Sequence, residues 1–144
     1  MIVIEIRHGE LMEALTKEAA ERGIRYGAIV TLIGAIDSYT LSTPPIGDPT
    51  SHTYSSYNLP AEMTATGEIV DGKPHIHAVM AVQGDRTIGG HLHEAVLGAS
   101  FARAYVIPSE VPVAVPENEH IVYAKVPAVP TDLGRLTDTR VPLG

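Results

Sequence analysis

The sequence predicts an α+β domain built mainly from one antiparallel sheet. A single helical pattern lies near the N-terminus, and the segments after it alternate apolar and polar residues with period two. The turns between these segments are of hairpin length, which favours antiparallel neighbours. With 144 residues and 44% hydrophobic content, the chain is long enough for one compact core.

The N-terminal part predicts a strand followed by the main helix. Residues 2–7 alternate apolar and charged side chains, as a half-buried strand does. A helix is expected from Gly9 to about Arg22, and Gly23 is a favourable residue to end it. Its apolar face is given by residues at helical spacing, namely Leu11, Ala14, Leu15 and Ala19.

The middle of the chain predicts strands and one loop. Two strands are expected at residues 26–32 and 35–41, separated at Gly34. Residues 43–51 contain three prolines and one glycine, a composition typical of a loop. No sequence repeat or low-complexity segment interrupts this organisation.

The strand predicted at residues 61–70 has the clearest alternation. One face carries Glu62, Thr64, Thr66 and Glu68, and the other carries Met63, Ala65 and Ile69. The dipeptide at 71–72, Asp-Gly, is a strong hairpin turn. Residues 74–82 form the next predicted strand, and a segment from Thr87 to about His91 returns beside it.

Further strands are predicted at residues 101–107 and 121–126. The segment from 127 to 144 is rich in proline. We therefore assign residues 1–126 to the domain and residues 127–144 to a C-terminal tail that packs on the domain or extends from it.

Composition and charge narrow the possible functions. The chain has no cysteine, so a transition-metal site must use His, Asp or Glu rather than thiolates. The net charge is −7, and there is no basic run or Arg-Gly-Arg-Pro minor-groove hook. Because nucleic-acid affinity comes mainly from Lys and Arg contacts with phosphates, direct DNA binding is not expected.

The N-terminal residues lack the basic head and continuous apolar run of a signal peptide. No window approaches the roughly 18 apolar residues of a membrane span. A cytoplasmic protein without a membrane partner is expected.

Three histidines are the most informative residues. His75 and His77 are spaced i, i+2 and point to one face of a predicted strand. If the hairpin turns near residues 84–86, His91 comes to lie opposite residues 77–80, within side-chain reach. Three imidazoles that converge in this way form a metal site with one open position.

Other interpretations of these histidines stay open. A His-x-His pair on a strand is often two polar residues on a solvent-exposed face. Gly89 and Gly90 allow a close backbone approach or a bulge near His91, although they also fit an ordinary flexible turn. If the strand continues past His91, the side chain of His93 points to the same face as that of His91. His93 is then expected as an alternative ligand or a supporting neighbour.

Three further residues are candidates for catalysis. Glu62 and Glu68 lie on the polar face of the strand preceding the histidine strand, where a carboxylate could ligate a metal or transfer a proton. Arg103 lies in an otherwise apolar strand and could hold a substrate carboxylate. The alternatives are solvated glutamates and an arginine in an ion pair. His8, His52 and His120 are isolated and are expected on the surface.

With these patterns the chain resembles the plants and prokaryotes conserved domain family. The resemblance covers roughly residues 2–125. Its most specific parts are residues 74–77 (Pro-His-Ile-His) and 89–92 (Gly-Gly-His-Leu), with support from 9–24 and from Ile-Gly-Ala at 33–35. A similar His-x-His and Gly-Gly-His pattern occurs in acetolactate decarboxylase, which resembles this family in fold and holds zinc on three histidines.

The resemblance implies an α+β domain that assembles as a homotrimer. It also implies a metal, most often zinc, on His75, His77 and His91. Plant members join the domain to hooks that bind AT-rich DNA, and this chain has no such hook, so that role is not carried over.

Three functions remain open. The leading hypothesis is a trimeric metal-dependent enzyme, with lyase-like or other Lewis-acid chemistry on a small oxygenated substrate. The second is a non-catalytic assembly or binding module, associated with DNA through a partner. The third is a closed structural metal site that stabilises the hairpin.

Overall fold

The computed structural model describes residues 1–110, which contain one helix and nine strands. The predicted strand at 121–126, the domain boundary at 126 and the tail at 127–144 lie outside the described residues. The elements in chain order are β1 (Ile2–Ile6), β2 (Gly9–Glu10), α1 (Leu11–Glu21), β3 (Tyr26–Ile36), β4 (Ser38–Thr43), β5 (Thr53–Tyr57), β6 (Ala61–Val70), β7 (Lys73–Val82), β8 (Arg86–Leu97) and β9 (Ala102–Ser109).

The strands of the described region form one antiparallel sheet. Its order is β1-β9-β3-β6-β7-β8-β4-β5, and the short β2 pairs with the end of β8. The central strands β6, β7 and β8 are joined by hairpins. In contrast, β4 pairs with β8 although three strands lie between them in the sequence. This arrangement confirms the predicted fold class of one N-terminal helix with a mostly antiparallel sheet.

The helix ends where its sequence predicts but begins two residues later, at Leu11, because Gly9 and Glu10 form the short strand β2. The Glu10 carboxylate accepts a hydrogen bond from the Glu13 N–H at 2.7 Å and caps the first turn. The same carboxylate accepts the Ala95 N–H from β8 at 2.9 Å, which ties the helix start to the sheet. Gly23 takes a φ of +67°, the left-handed conformation that ends many helices. The fully buried residues of the helix are Leu11, Leu15 and Ala19.

Several predicted element boundaries were wrong. The strand β3 runs without interruption through Gly34, and the break before β4 comes at Asp37. Gly34 is needed for another reason: a Cβ there would overlap the Phe101 carbonyl, so glycine lets the chain segments approach closely. The strand β5 was missed because its residues lack an apolar alternation, and β8 extends well beyond His91.

The two faces of the sheet differ strongly. The inner face contributes to the core, with Met63, Ala65 and Ile69 of β6 buried, which confirms the predicted alternation of this strand. The outer face leaves large apolar side chains between 41% and 50% exposed, among them Val3, Ile33, Val79 and Ile107. Exposed apolar side chains on one face of a sheet make that face a candidate interaction surface. In the part of the chain that the structure describes, no helix is long and apolar enough to span a bilayer.

Candidate metal centre

The hairpin between β7 and β8 brings the three histidines together. Asp85 takes a positive φ at the turn, and from there the register pairs Val82 with Arg86 and His77 with His91. Directly opposite residues share a face of an antiparallel pair, and His75 lies two residues before His77 on the same face. The register predicted from the turn is therefore confirmed.

The geometry of the cluster suits a metal ion. The potential ligand nitrogens of His75, His77 and His91 all lie within 4.8 Å of one another. Nitrogens around a tetrahedral zinc lie about 3.3 Å apart, given Zn–N bonds of roughly 2.0–2.1 Å. The three side chains therefore lie close enough together to be candidate ligands of one ion. His75 and His77 are exposed and His91 is partly buried, so the cluster is open to solvent on one side.

The electrostatic environment favours neutral imidazole at His91. Burial, and then the positive charges that His93, His75 and His77 would carry, lower its pKa from 6.5 to about 4. Its ring is therefore neutral at physiological pH, which is the form that binds metals. Imidazole donors without thiolates fit zinc and other first-row divalent ions.

A carboxylate supports the first histidine of the cluster. Glu68 lies directly opposite His75 in the β6–β7 register, and its Oε1 lies 3.1 Å from His75 Nδ1. An ionised carboxylate accepts the Nδ1–H, which leaves Nε2 of the ring for a metal. Carboxylate–imidazole pairs of this kind orient the ligands of many metal sites.

The other two predicted catalytic residues lie elsewhere. Glu62 is six residues before Glu68 on β6, about 20 Å away at 3.3 Å per residue, and it lines a separate cavity of about 810 Å³ with Phe101. Arg103 is on β9, where it forms an ion pair with Glu5 of β1. The alternation of apolar and polar residues predicts which face of the sheet a side chain lies on. It does not predict how far along a strand, or how many strands away, that side chain lies from the histidines.

His93 lies beside the cluster and has a partner of its own. Its ring centroid is 4.5 Å from that of His91, and its Nε2 lies 2.8 Å from the Ser42 hydroxyl. Burial is the main cause that lowers the pKa of His93, followed by the nearby His52. His93 thus lies next to His91, and its role as an alternative ligand or a supporting neighbour stays a prediction.

The histidines lie in a cleft of about 620 Å³, and the sequence did not predict the residues of its opposite wall. That wall comes from the end of β4 and from the loop between β4 and β5, and its residues are Ser42, Thr43, Pro44 and His52. His52 is exposed, as expected, but it is not isolated, because it lines the cleft together with the three histidines. No local signal in the sequence identifies these residues, because they reach the cleft only through the pairing of β4 with β8.

Comparisons with known proteins agree with this fold. No curated protein matches the sequence significantly. Among solved structures, a candidate DNA-binding protein from Bacteroides thetaiotaomicron has a TM-score of 0.65 and 22% identity, over 76% of this chain and 79% of that one. A metal-containing protein from Archaeoglobus fulgidus has a TM-score of 0.61 and 23% identity, over 74% and 77%.

A third structure, alpha-acetolactate decarboxylase from Bacillus subtilis, is a more distant neighbour. Its TM-score is 0.52 and its identity 15%, and the alignment covers 75% of this chain but 52% of the enzyme. Identities this low show a shared fold and nothing more specific. The family model for the Plants and Prokaryotes Conserved (PCC) domain matches residues 1–110, all of the described region. The chain therefore belongs to the PCC domain family.

Proposed function

We propose that this protein is a metal-dependent enzyme acting on a small oxygenated substrate. His75, His77 and His91 would hold one divalent ion, for which zinc is the leading candidate. The observation that carries the proposal is the convergence of three imidazoles in an open cleft. Within residues 1–110 the cluster comprises three side chains, so a tetrahedral ion would keep one position for water or substrate.

Once bound, the metal would supply Lewis-acid chemistry by polarising a carbonyl oxygen or lowering the pKa of a water. The chain's own residues have separate tasks. Glu68 orients His75 and is the carboxylate that we propose for proton transfer. Thr43, Thr66 and His52 line the cleft and can hydrogen-bond a substrate. Glu62 and Arg103, which lie away from the histidines, receive no role at this site.

The test is whether a small oxygen ligand binds the metal. The purified chain would be loaded with Co²⁺, whose visible spectrum reports coordination, and titrated with pyruvate and with the bidentate chelator acetohydroxamate. We expect saturable spectral changes with both compounds, because the open position accepts oxygen ligands. Spectra unchanged up to about 10 mM of either compound would indicate a closed structural site and would contradict the enzyme proposal.

The alternative function is a non-catalytic assembly or binding module. The structural neighbour described as a candidate DNA-binding protein and the exposed apolar face favour it. A cytoplasmic location belongs to both proposals.

We expect the isolated protein to bind duplex DNA weakly and without sequence preference. The net charge of −7 offers few cations to neutralise phosphates. An electrophoretic shift assay at about 150 mM salt should give a dissociation constant no tighter than roughly 10⁻⁶ M, the range of non-specific binding. Submicromolar affinity for one duplex over a scrambled duplex would instead favour the DNA-associated module.

We further propose that the protein assembles as a homotrimer through its outer sheet face. Light scattering at micromolar concentration should give three times the chain mass. The variant Ile33→Lys should shift the protein toward smaller species, because it places a charge on the exposed apolar surface. Ile46→Lys is the matched control, since Ile46 is fully exposed in the loop before β5. A monomer mass for the unmodified protein would refute this assembly.

A further inference from the structure

One continuous row of residues crosses the sheet from its edge to the histidine cluster. Tyr54 of β5 pairs with Ser42 of β4, Ser42 pairs with His91 of β8, and His91 pairs with His77 of β7. Directly opposite residues in antiparallel strands have Cβ atoms about 4.5–5.5 Å apart and share a face. This row of paired residues connects the metal cluster to β5, the outermost strand of the sheet within residues 1–110.

A β-bulge in β8 places His93 into this row. Thr40 pairs with Glu94 and Leu41 pairs with Leu92, so His93 has no residue opposite it on β4. The extra residue also changes which side chains face the core: Leu92 and then Ala95 are buried, three positions apart instead of two. Without the bulge, Glu94 would point inward. Bulges commonly re-aim side chains beside functional sites, and this one leaves His93 against His91.

Ser42 holds the His93 ring. Among residues 1–110, Ser42 is the one polar or charged residue that is buried, with 3% exposure. Burying a hydroxyl is unfavourable unless it forms a hydrogen bond, and this hydroxyl lies 2.8 Å from His93 Nε2. The Tyr54 ring contacts His93 as well, with ring centroids 4.7 Å apart. His93 is thus held by a hydrogen bond and by two ring contacts, those with Tyr54 and His91.

The histidines of the cluster are oriented in different ways. Glu68 hydrogen-bonds His75, whereas no side chain or backbone group of residues 1–110 hydrogen-bonds the ring of His91. The His91 ring packs instead against two rings that are themselves hydrogen-bonded, those of His93 at a centroid distance of 4.5 Å and of His75 at 4.7 Å. Packing therefore performs for His91 the orienting task that the carboxylate performs for His75.

We propose that Ser42 and Tyr54 are positioning residues that act through His93 to orient the His91 ring and so set the geometry of the bound metal. This inference rests on the proposed metal site. Ser42 supplies the hydrogen bond that fixes the position of His93. Tyr54 supplies an aromatic surface that keeps His93 pressed toward His91. Neither residue is a ligand, so the effect of each must appear in the affinity and the spectrum of the metal.

The test uses the full chain loaded with Co²⁺. Affinity is measured by competition with a chromogenic chelator, and ligand geometry by the visible absorption bands. We expect Ser42→Ala to weaken binding about 10- to 100-fold, the range for supporting residues of metal sites, and to shift the bands. Ser42→Thr retains a hydroxyl and should recover most of the affinity. Tyr54→Ala should shift the bands, whereas Tyr54→Phe keeps the ring and should match the unmodified protein.

Ser56→Ala is the matched control. Ser56 lies on β5, as Tyr54 does, but its hydroxyl contacts Thr40 rather than the histidines. The Ser56→Ala variant should therefore bind metal as the unmodified protein does. If Ser42→Ala does not fold by circular dichroism, Tyr54→Ala decides the question, because Tyr54 is 60% exposed and outside the core.

The outcomes separate this inference from the proposed function. If the unmodified chain binds no metal, the proposed function fails and the positioning role fails with it. If the unmodified chain binds metal and both alanine variants keep its affinity and spectrum, the positioning role alone is refuted. Equal losses in Ser42→Ala and Ser42→Thr would also refute it, because the hydroxyl would then not be the cause.

Discussion

Replacing His77 by alanine is expected to remove most of the metal-binding capacity of this protein. His77 lies directly opposite His91 and two residues from His75, so its loss leaves two imidazoles where three converge. Because removing a supporting neighbour of a metal ligand already lowers affinity 10- to 100-fold, removing a ligand should lower it more than about 100-fold. His75→Ala and His91→Ala should behave similarly.

The measurement is elemental analysis of purified protein, followed by chelator competition after zinc reconstitution. The unmodified chain should carry close to one zinc-like ion per chain. The matched control is His8→Ala, because His8 hydrogen-bonds the Gly98 carbonyl beyond the far end of β8 and takes no part in the cluster. Absence of metal from the reconstituted protein, or equal losses in His8→Ala and His77→Ala, would eliminate the three-histidine site.

Gly67→Ala should strongly destabilise the fold and disturb the metal centre together. Gly67 pairs with Ile76, the residue between the two histidines of β7. A Cβ at Gly67 would overlap the carbonyl oxygen of His75, which belongs to the backbone and cannot rotate away. The strands must separate to admit it. We expect the free energy of unfolding to fall by about 1–3 kcal/mol or more, as in other overpacked sites.

Urea denaturation measures this loss, and chelator competition on the same variant measures the effect on the metal. Thr64→Ala is the control, since Thr64 is an exposed residue on the same strand. Its unfolding free energy should stay within about 0.5 kcal/mol of the unmodified value. A Gly67→Ala protein as stable as Thr64→Ala would show that the two strands are not packed as closely as described.

Local patterns were sufficient to predict the centre of the sheet. The alternation in β6 specified which residues are buried, because side chains point to opposite faces with period two. The Asp71–Gly72 turn joins β6 to β7, and both residues take the positive φ expected there. The turn before β8 set the register that places His91 opposite His77. Short hairpins connect these strands, so their pairing follows from neighbouring residues.

Local patterns did not predict contacts between residues that lie far apart in the sequence. Gly34 was interpreted as a break between strands, yet it lies inside β3 and makes room for the backbone at Phe101. Glu62 and Glu68 share a face of β6, and only Glu68 reaches the histidines, because that depends on which residue of β7 lies opposite. Arg103 was considered for substrate binding, but its partner is Glu5, 98 positions away.

The sequence by itself therefore determined the fold class, the alternation of the central strands and the three histidines that converge. Only the tertiary structure decided what surrounds them. Ser42 meets His93 across 51 positions, through a pairing of β4 with β8 that skips a residue at a bulge. A bulge moves side chains to the other face of a strand, and periodicity within either strand does not specify its partner or its register. The wall of the cleft arises from that long-range pairing, since residues from β4 and the loop after it reach the histidines only when the sheet has formed.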